Sequence, residues 1–384
     1  MINVDRLLET FMDLVRIDSV SREEANLAAF LQKQLEALGA ETIIDDSAAK
    51  TGSNTGNLIA RIKGCNNVNP LLFSAHMDTV EPGRGIKPVL KSGRIASDGT
   101  TILGADDKSA IAILLEMVRV LKESGNPHPP LELAFSTCEE IGLLGAKHFD
   151  WSLISARQGY VLDTRDPGGL VIRAPSANRI RITVIGRDAH AGSAPEKGIN
   201  AILVAAKAIA TLDLGRLDEE TTCNLGVIRG GEATNIVPKQ VEIDGEVRSH
   251  DDRKLANVTQ RMVDAFQEAV VSYPDSGEDG LPSASVDVHP DFKSTCIPET
   301  HPVVQMALHA AERLNRSVSL QIAGGGSDAN VFFQKGIVTG VLGTGMTDVH
   351  SVREYVDVQD MVKACEMALE IVAVYHEDSN AYRP

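Results

Sequence analysis

The stretch Leu71-Leu72-Phe73-Ser74-Ala75-His76-Met77-Asp78 is the most informative about the fold. Its first five residues are apolar or small and do not alternate with polar ones, which predicts a strand covered on both faces. Side chains two apart on a strand share a face, so His76 and Asp78 are expected to lie close together. By itself, such a pair is more often a structural contact than part of a metal site.

The segments on either side of this stretch have an α/β pattern, in which short apolar strands alternate with helices. Ser21 and Glu24 predict a capping box before a helix that ends at Gly39. Further strands and helices are predicted over Asn57–Ile62, Leu131–Thr137, Tyr160–Leu162, Val4–Arg16 and Ser109–Leu121.

The middle of the chain has a different pattern. Arg179–Ile185 alternates basic and apolar residues, as a strand with one solvated face does. We therefore predict an inserted α+β domain over residues 175–290, with a loop at Tyr273–Pro282. The α/β pattern resumes after Pro290, so residues 1–174 and 291–384 are predicted to form one discontinuous domain. The expected fold class is α/β, with a mixed sheet flanked by helices.

Composition excludes several classes of protein. The chain has 384 residues, of which 43% are hydrophobic and 23% charged, as expected for two globular domains. A net charge of -16 disfavours nucleic acid and anionic membranes as partners. No apolar run reaches the ~18 residues that a membrane span needs.

Cysteine usage and the N-terminus suggest a cytoplasmic protein. The cysteines are odd in number and widely spaced, and none forms a CxxC pair, so we expect reduced thiols. They are Cys65, Cys138, Cys223, Cys296 and Cys365. The N-terminal residues have no secretory signal pattern.

Two pairs of adjacent acidic residues, like His76, can be explained either by local structure or by a metal site. Gly104-Ala105-Asp106-Asp107-Lys108 precedes an apolar helix, where the helix dipole alone would favour carboxylates. In a metal site, one of these carboxylates would instead bridge two ions. Glu139 and Glu140 follow an apolar strand, where α/β sheets place ligands, although a surface turn would also explain them. One of them would bind metal while the other acts as a base.

Asp163 and His350 are two further candidates. Asp163 lies at the end of an apolar run, and His350 lies late in the chain. Each alone is more often structural than functional. Five such sites, four of them at or just past strand ends, favour a shared metal centre.

Taken together, these motifs resemble the M20 metallopeptidases, and within them the peptidase T (tripeptidase) branch. The resemblance covers nearly the whole chain in the family's order. It implies a zinc-peptidase-like catalytic domain and an inserted lid or dimerisation domain. The matching stretches are Ser74–Val80, Gly104–Lys108, Thr137–Gly142, Asp163, Asp188–Gly192, Gly325–Ala329 and His350–Glu354.

The resemblance implies two zinc ions per chain, for which cobalt or manganese is an alternative. It assigns His76 and Asp163 to one ion and Glu140 and His350 to the other. Asp106 is then the bridging carboxylate.

It also assigns catalytic roles. Glu139 is implied to be the general base, which takes a proton from a water bridging the zincs. Asp78 would orient His76. A cis peptide bond is implied between Asp106 and Asp107.

In the inserted domain, the resemblance implies residues that contact substrate. His190 would stabilise the oxyanion, often across a subunit interface, and Arg248 would hold a substrate carboxylate. Asn235 is a further polar contact, whereas Gly325 and Gly326 allow the backbone to approach the ligand. A homodimer through the lid domain is also implied.

Three functions remain open at this point. The first is removal of an N-terminal residue from short peptides, above all tripeptides. The second is hydrolysis of N-acyl or N-carbamoyl amino acids, which also present an amide beside a carboxylate. A catalytically dead scaffold is disfavoured because Glu139 and every ligand candidate are present.

Overall fold

The computed structural model describes residues 1–64, 68–274 and 280–381. Cys65 and part of the predicted loop at Tyr273–Pro282 lie outside the described residues. The other four cysteines are free thiols, as predicted.

Helices and strands are numbered in chain order. The helices are α1 (Val4–Arg16), α2 (Ala25–Leu38), α3 (Ala48–Thr51), α4 (Ala105–Ser124), α5 (Leu144–Lys147), α6 (Ala201–Ile209), α7 (Asp252–Val271), α8 (Pro302–Arg313), α9 (Asp328–Gln334) and α10 (Val358–Ala381). The strands are β1 (Glu41–Ile44), β2 (Leu58–Ile62), β3 (Leu71–His76), β4 (Val89–Lys91), β5 (Arg94–Ala96), β6 (Leu131–Ser136), β7 (Gln158–Thr164), β8 (Gly169–Ala174), β9 (Ser176–Ile185), β10 (Gly215–Arg216), β11 (Thr221–Gly230), β12 (Gln240–Ser249), β13 (Ser283–Phe292), β14 (Thr295–Cys296), β15 (Ser319–Ile322), β16 (Val338–Gly343) and β17 (Tyr355–Asp357).

The chain divides into two compact units. The first unit comprises Met1–Arg173, Cys296–Ile322 and Ser327–Pro384, and the second comprises Ala174–Thr295 and Ala323–Gly326. Each unit has its own hydrophobic core. None of the helices formed by the described residues has the length and hydropathy needed to cross a membrane.

A mixed sheet forms the centre of the first unit, in the order β1-β2-β6-β3-β7-β16-β8. Strands β6, β3, β7 and β16 are parallel neighbours. Every residue of β3 and β6 is buried, which explains their continuous apolar sequences. The mixed α/β fold predicted from the sequence is confirmed.

Because these four strands are parallel, their carboxyl ends meet at one edge of the sheet. Strand β3 ends at His76, and β6 leads into Glu139 and Glu140. Asp163 is the penultimate residue of β7, and the segment after β16 leads to His350. The fold therefore gathers the candidate residues at a single edge.

The second unit contains an antiparallel sheet in the order β10-β11-β12-β9-β13, with helices α6 and α7 packed on one face. Along β9, Ile180 and Ile182 are buried while Arg179 and Arg181 are exposed. The alternation predicted for this strand is therefore confirmed.

The predicted capping box at Ser21 and Glu24 is wrong. Glu24 precedes helix α2, but its side chain does not cap the helix. Instead it is fully buried and accepts the backbone N–H of Cys138 at 3.0 Å. Ser21 donates its hydroxyl to Asp78 at 2.6 Å. The predicted end at Gly39 is correct, since this glycine has a φ of 93°.

Candidate metal centre

His76 is fixed at the end of β3 by two contacts. Its Nδ1 lies 2.9 Å from the backbone oxygen of Asp78, an acceptor, so Nδ1 carries the proton. Its Nε2 lies 2.9 Å from Oδ1 of Asp106. The ring is only 2% exposed, so its orientation is set by the protein.

The carboxylate of Asp78 forms hydrogen bonds mainly with the turn that follows β6. Oδ1 lies 3.4 Å from Nδ1 of His76 and accepts the backbone N–H of Glu139 at 2.9 Å. Oδ2 accepts the backbone N–H of Glu140 at 3.2 Å. Asp78 is fully buried, so it ties His76 to the turn that bears both glutamates.

Asp106 lies at the entrance to helix α4. Its Oδ1 faces His76, and its Oδ2 lies 3.3 Å from Nε2 of His350. The peptide bond between Asp106 and Asp107 is cis, as the resemblance implied. The two oxygens of this carboxylate therefore face different histidines.

Glu139 and Glu140 follow Cys138, whose φ of 53° is left-handed. A non-glycine residue in this region costs about 1–2 kcal/mol, so surrounding contacts must hold it. The hydrogen bond from the Cys138 N–H to Glu24 is one of them. Oε1 of Glu140 lies 2.8 Å from Nε2 of His350, while Glu139 is 9% exposed.

Two sets of possible metal ligands share Asp106. Oxygen and nitrogen atoms of His76, Asp106 and Glu140 all lie within 4.8 Å of one another. The same holds for Asp106, Asp107 and Asp163. Imidazole with carboxylate is a donor set that suits zinc, cobalt and manganese.

The electrostatics of the site also fit a cation. Desolvation raises the pKa of Glu139 and of Asp163 well above ordinary values; the charge of Asp163 adds to the rise at Glu139, and the charge of Asp106 adds to the rise at Asp163. Oδ1 of Asp107 and Oδ1 of Asp328 are buried without a hydrogen-bond partner among the described residues. Buried carboxylates of this kind are normally paired or bound to metal.

Carboxylates of the site raise the pKa values of both histidines. Burial works to lower the pKa of His76, but the side chains of Asp106 and Asp78 outweigh it, and the pKa lies well above its usual value. Hydrogen bonds to Asp106 and Glu140 raise the pKa of His350 to about 10. Burial works to raise the pKa of Asp106, but both histidines outweigh it and hold the pKa low.

Sequence reasoning gave no role in the site to four acidic residues that lie at or next to it, namely Glu24, Asp107, Asp328 and Glu354; Glu24 was predicted only as part of a helix cap. Asp107, Asp328 and Glu354 belong to stretches that carried the family resemblance, which was an available signal. Glu24 had no such signal, because its partner Cys138 is 114 residues away.

The predicted substrate-binding residues all belong to the second unit. The backbone N–H of Ala191 donates to the oxygen of Asn235 at 2.9 Å, so His190 and Asn235 lie on adjoining segments. Arg248 forms an ion pair with Glu246 at 3.0 Å, and its Nη1 would lie 3.2 Å from a Cβ added to Gly325. A Cβ on Gly326 would lie 2.4 Å from the Phe292 ring, so this position requires glycine.

Comparison with known proteins identifies the class. A family model described as peptidase family M20/M25/M40 matches residues 72–373. Together with the clustered histidine and carboxylate side chains, this match defines a metallopeptidase, a metal-dependent hydrolase. The chain belongs to peptidase family M20/M25/M40.

Individual relatives place the chain near peptidase T. It is 41% identical to aminopeptidase PepT from Bacillus cereus, with 97% of this chain and 99% of that chain covered and a TM-score of 0.86. A tripeptidase from Staphylococcus aureus is 36% identical, with 98% and 100% covered and a TM-score of 0.91. The uncharacterised protein YqjE of Bacillus subtilis is 42% identical, with 97% of this chain and 99% of YqjE covered.

Proposed function

We propose that this metallopeptidase holds two zinc ions and hydrolyses the N-terminal peptide bond of short peptides. The observation that carries the proposal is the position of Asp106, whose two oxygens face His76 and His350 separately. A carboxylate with one oxygen toward each of two ligand groups is suited to bridge two cations. Asp163 and Glu140 would complete the two groups of metal ligands that share Asp106. Cobalt or manganese would suit the same donor atoms.

When bound, the metal ions would polarise the scissile carbonyl and lower the pKa of the attacking water. Glu139 takes a proton from that water and later delivers it to the leaving amine. Its backbone is held by Asp78, which limits the positions that its carboxylate can adopt. Its 9% exposure keeps the proton transfer away from bulk solvent.

The second unit supplies recognition groups in this proposal. Arg248 binds the C-terminal carboxylate of the peptide through its guanidinium fork. Its Nε atom is buried without a partner among the described residues, so a donor is available there. Nδ1 of His190 accepts the N–H groups of Gly192 and Ser193 at 3.1 Å, which leaves Nε2 to donate to the oxyanion.

The remaining contacts concern the substrate backbone. Asn235 provides a polar contact, and Gly325 and Gly326 allow the main chain to lie close to the peptide. Tripeptides are the first choice of substrate, because the Staphylococcus aureus relative is named a tripeptidase and the Bacillus cereus relative an aminopeptidase.

A substrate panel tests this function. Purified protein loaded with zinc is given tripeptides, dipeptides, N-acetylated tripeptides and N-acyl amino acids, each with and without chelator. Chelator-sensitive cleavage of free tripeptides, with release of the N-terminal residue, is the expected result. Cleavage of the N-acyl amino acids alone would replace the peptidase with an acyl amino-acid hydrolase.

We further propose that the second unit forms a homodimer. Strand β10 pairs only with Thr222 and Cys223 of β11, so within the described part of the chain the rest of that edge has no neighbouring strand. Ile228 on this edge is 57% exposed, and Leu203 on α6 is 47% exposed. An open apolar edge favours pairing with a second copy.

Sedimentation velocity measures this association directly. The unchanged protein is expected to sediment as a dimer and Ile228→Asp as a monomer with unaltered circular dichroism. A monomeric unchanged protein would refute the dimer without affecting the proposed metal site or the role of Glu139.

A further inference from the structure

Glu354 is a buried carboxylate that accepts three backbone N–H groups from one segment. Its Oε2 lies 2.7 Å from the nitrogen of Leu103 and 2.8 Å from that of Gly104. Its Oε1 lies 3.0 Å from the nitrogen of Asp106. Glu354 is only 1% exposed, so these hydrogen bonds are shielded from water.

This contact joins two segments that each carry a metal-site residue. Glu354 lies four residues after His350, and its hydrogen bonds reach the entrance of helix α4, where Asp106 lies. The hydroxyl of Ser109 adds a second link, donating to Oγ1 of Thr344 at 2.8 Å. Both ends of the segment between β16 and β17 are thereby tied to the start of α4.

Glu354 also fixes the local backbone at Asp106. Gly104 has a φ of 74°, and both Asp106 and Asp107 have non-helical backbone angles. The N–H of Lys108 makes an ordinary i to i−4 hydrogen bond to the oxygen of Gly104 at 3.3 Å, but the N–H groups of Leu103, Gly104 and Asp106 donate to Glu354 instead. The carboxylate of Glu354 supplies the acceptors that the first N–H groups of a helix lack.

We propose that Glu354 is a positioning residue that holds the bridging carboxylate Asp106 in register with His350. This inference rests on the two-metal site proposed above. Glu354 makes no contact with substrate in this scheme and acts only through the backbone of Leu103, Gly104 and Asp106. Removal of an outer hydrogen-bond partner typically costs about 10- to 100-fold in metal affinity or activity.

The substitution Glu354→Gln tests this role with almost no change in volume. An amide has one acceptor oxygen, so its NH2 group must face an N–H group of Leu103, Gly104 or Asp106. At least one of the three hydrogen bonds is lost and replaced by a donor–donor contact. Glu354→Asp keeps the charge but is shorter, and it serves as the second variant where Glu354→Gln fails to fold.

Glu132 offers a matched control. It is 3% exposed and accepts the N–H groups of Ser155 and Ala156 and the hydroxyl of Ser155. Glu132→Gln therefore damages a similar buried carboxylate with different partners. A purely structural role for Glu354 would give the two glutamine variants the same behaviour.

The measurement is the binding of Zn²⁺ alone to metal-free protein, by competition with a chromophoric chelator, with urea unfolding of the same samples. Absorption spectra after Co²⁺ loading report the ligand geometry. We expect Glu354→Gln to bind at least one Zn²⁺ about 10- to 100-fold more weakly, with an altered Co²⁺ spectrum. With metal saturating, kcat should fall more than KM rises, and Glu132→Gln should bind Zn²⁺ as the unchanged protein does.

Three results would overturn the inference. The first is a folded Glu354 variant whose Zn²⁺ affinity lies within threefold of that of the unchanged protein. The second is an equal loss of Zn²⁺ affinity in Glu354→Gln and Glu132→Gln. Either would leave the proposed metallopeptidase chemistry intact. Failure of the unchanged protein to bind Zn²⁺ would instead remove the two-metal site itself and this inference with it.

Discussion

The carboxylate of Asp78 accepts the backbone N–H of Glu139 at 2.9 Å, which joins the end of strand β3 to the turn after β6. The same side chain reaches Glu140 through its second oxygen. One buried carboxylate thus sets the position of the proposed base and of a proposed ligand.

Asp78→Asn should lower kcat/KM by about 10- to 100-fold, because its amide nitrogen would face one of the two N–H groups. Steady-state kinetics on the best substrate measures the effect. Asp166→Asn is the control, since Asp166 also accepts a backbone N–H, that of Gly168 at 2.9 Å. Equal losses in both variants would show that Asp78 has no special relation to the site.

Glu139→Gln should bind metal normally but lower kcat by about 10²- to 10⁴-fold, because the amide cannot accept the proton of the attacking water. Metal content per chain and kcat are measured on the same preparation. Near-normal turnover would require a different base.

Removal of metal should abolish hydrolysis and lower the melting temperature, because the carboxylates of Glu139, Asp163 and Asp107 lose the cation that offsets their burial. A ligand at 1,000 times its Kd stabilises the native state by about 4 kcal/mol. Calorimetry before and after chelation, and after zinc is returned, measures the change. An unchanged melting temperature in a protein shown to be metal-free would contradict this expectation.

Arg248→Ala should raise KM for peptides with a free C-terminal carboxylate by about tenfold or more, in line with the 1.5–3 kcal/mol of a charged hydrogen bond. Peptides amidated at the C-terminus should be affected much less. Arg229→Ala is the control, because Arg229 pairs with Asp244 at 3.3 Å on the same sheet. A similar rise for free and amidated peptides would rule out the carboxylate as the partner of Arg248.

Gly145→Ala should lower the free energy of unfolding by about 1–3 kcal/mol or more, the usual cost of overpacking. Its Cβ would lie 2.1 Å from the backbone oxygen of Thr137, at the base of the turn that bears Glu139. Gly168→Ala, whose Cβ would meet only ordinary contacts, is the control in urea unfolding. Equal stability of the two variants would mean that the turn can move to accommodate a methyl group.

The parts of the fold that were predicted correctly depend on local patterns. The apolar run Leu71–Ala75 and the run before Cys138 are buried strands, because a parallel sheet covered on both faces needs such sequences. Since the candidate site residues follow these strands directly, their clustering at one sheet edge was predictable as well.

The parts that were missed depend on contacts between distant residues. Glu24 had the spacing of a helix cap, but its burial beside Cys138 decided its role. Glu354 is separated from Leu103 by 251 positions, and no local periodicity indicates such a pairing. Within one element, a carboxylate that supports a distant turn looks the same as one that faces solvent.

The span between Glu354 and Leu103 has a consequence for biosynthesis. The contact requires closure of a 251-residue loop, and the entropy of such closure must be overcome before the contact forms. A nascent chain that ends before residue 350 has strand β3 and His76 but neither His350 nor Glu354, the acceptor for the Asp106 N–H. The proposed two-metal site would therefore be complete only after residue 354 has been synthesised and has packed against the start of α4.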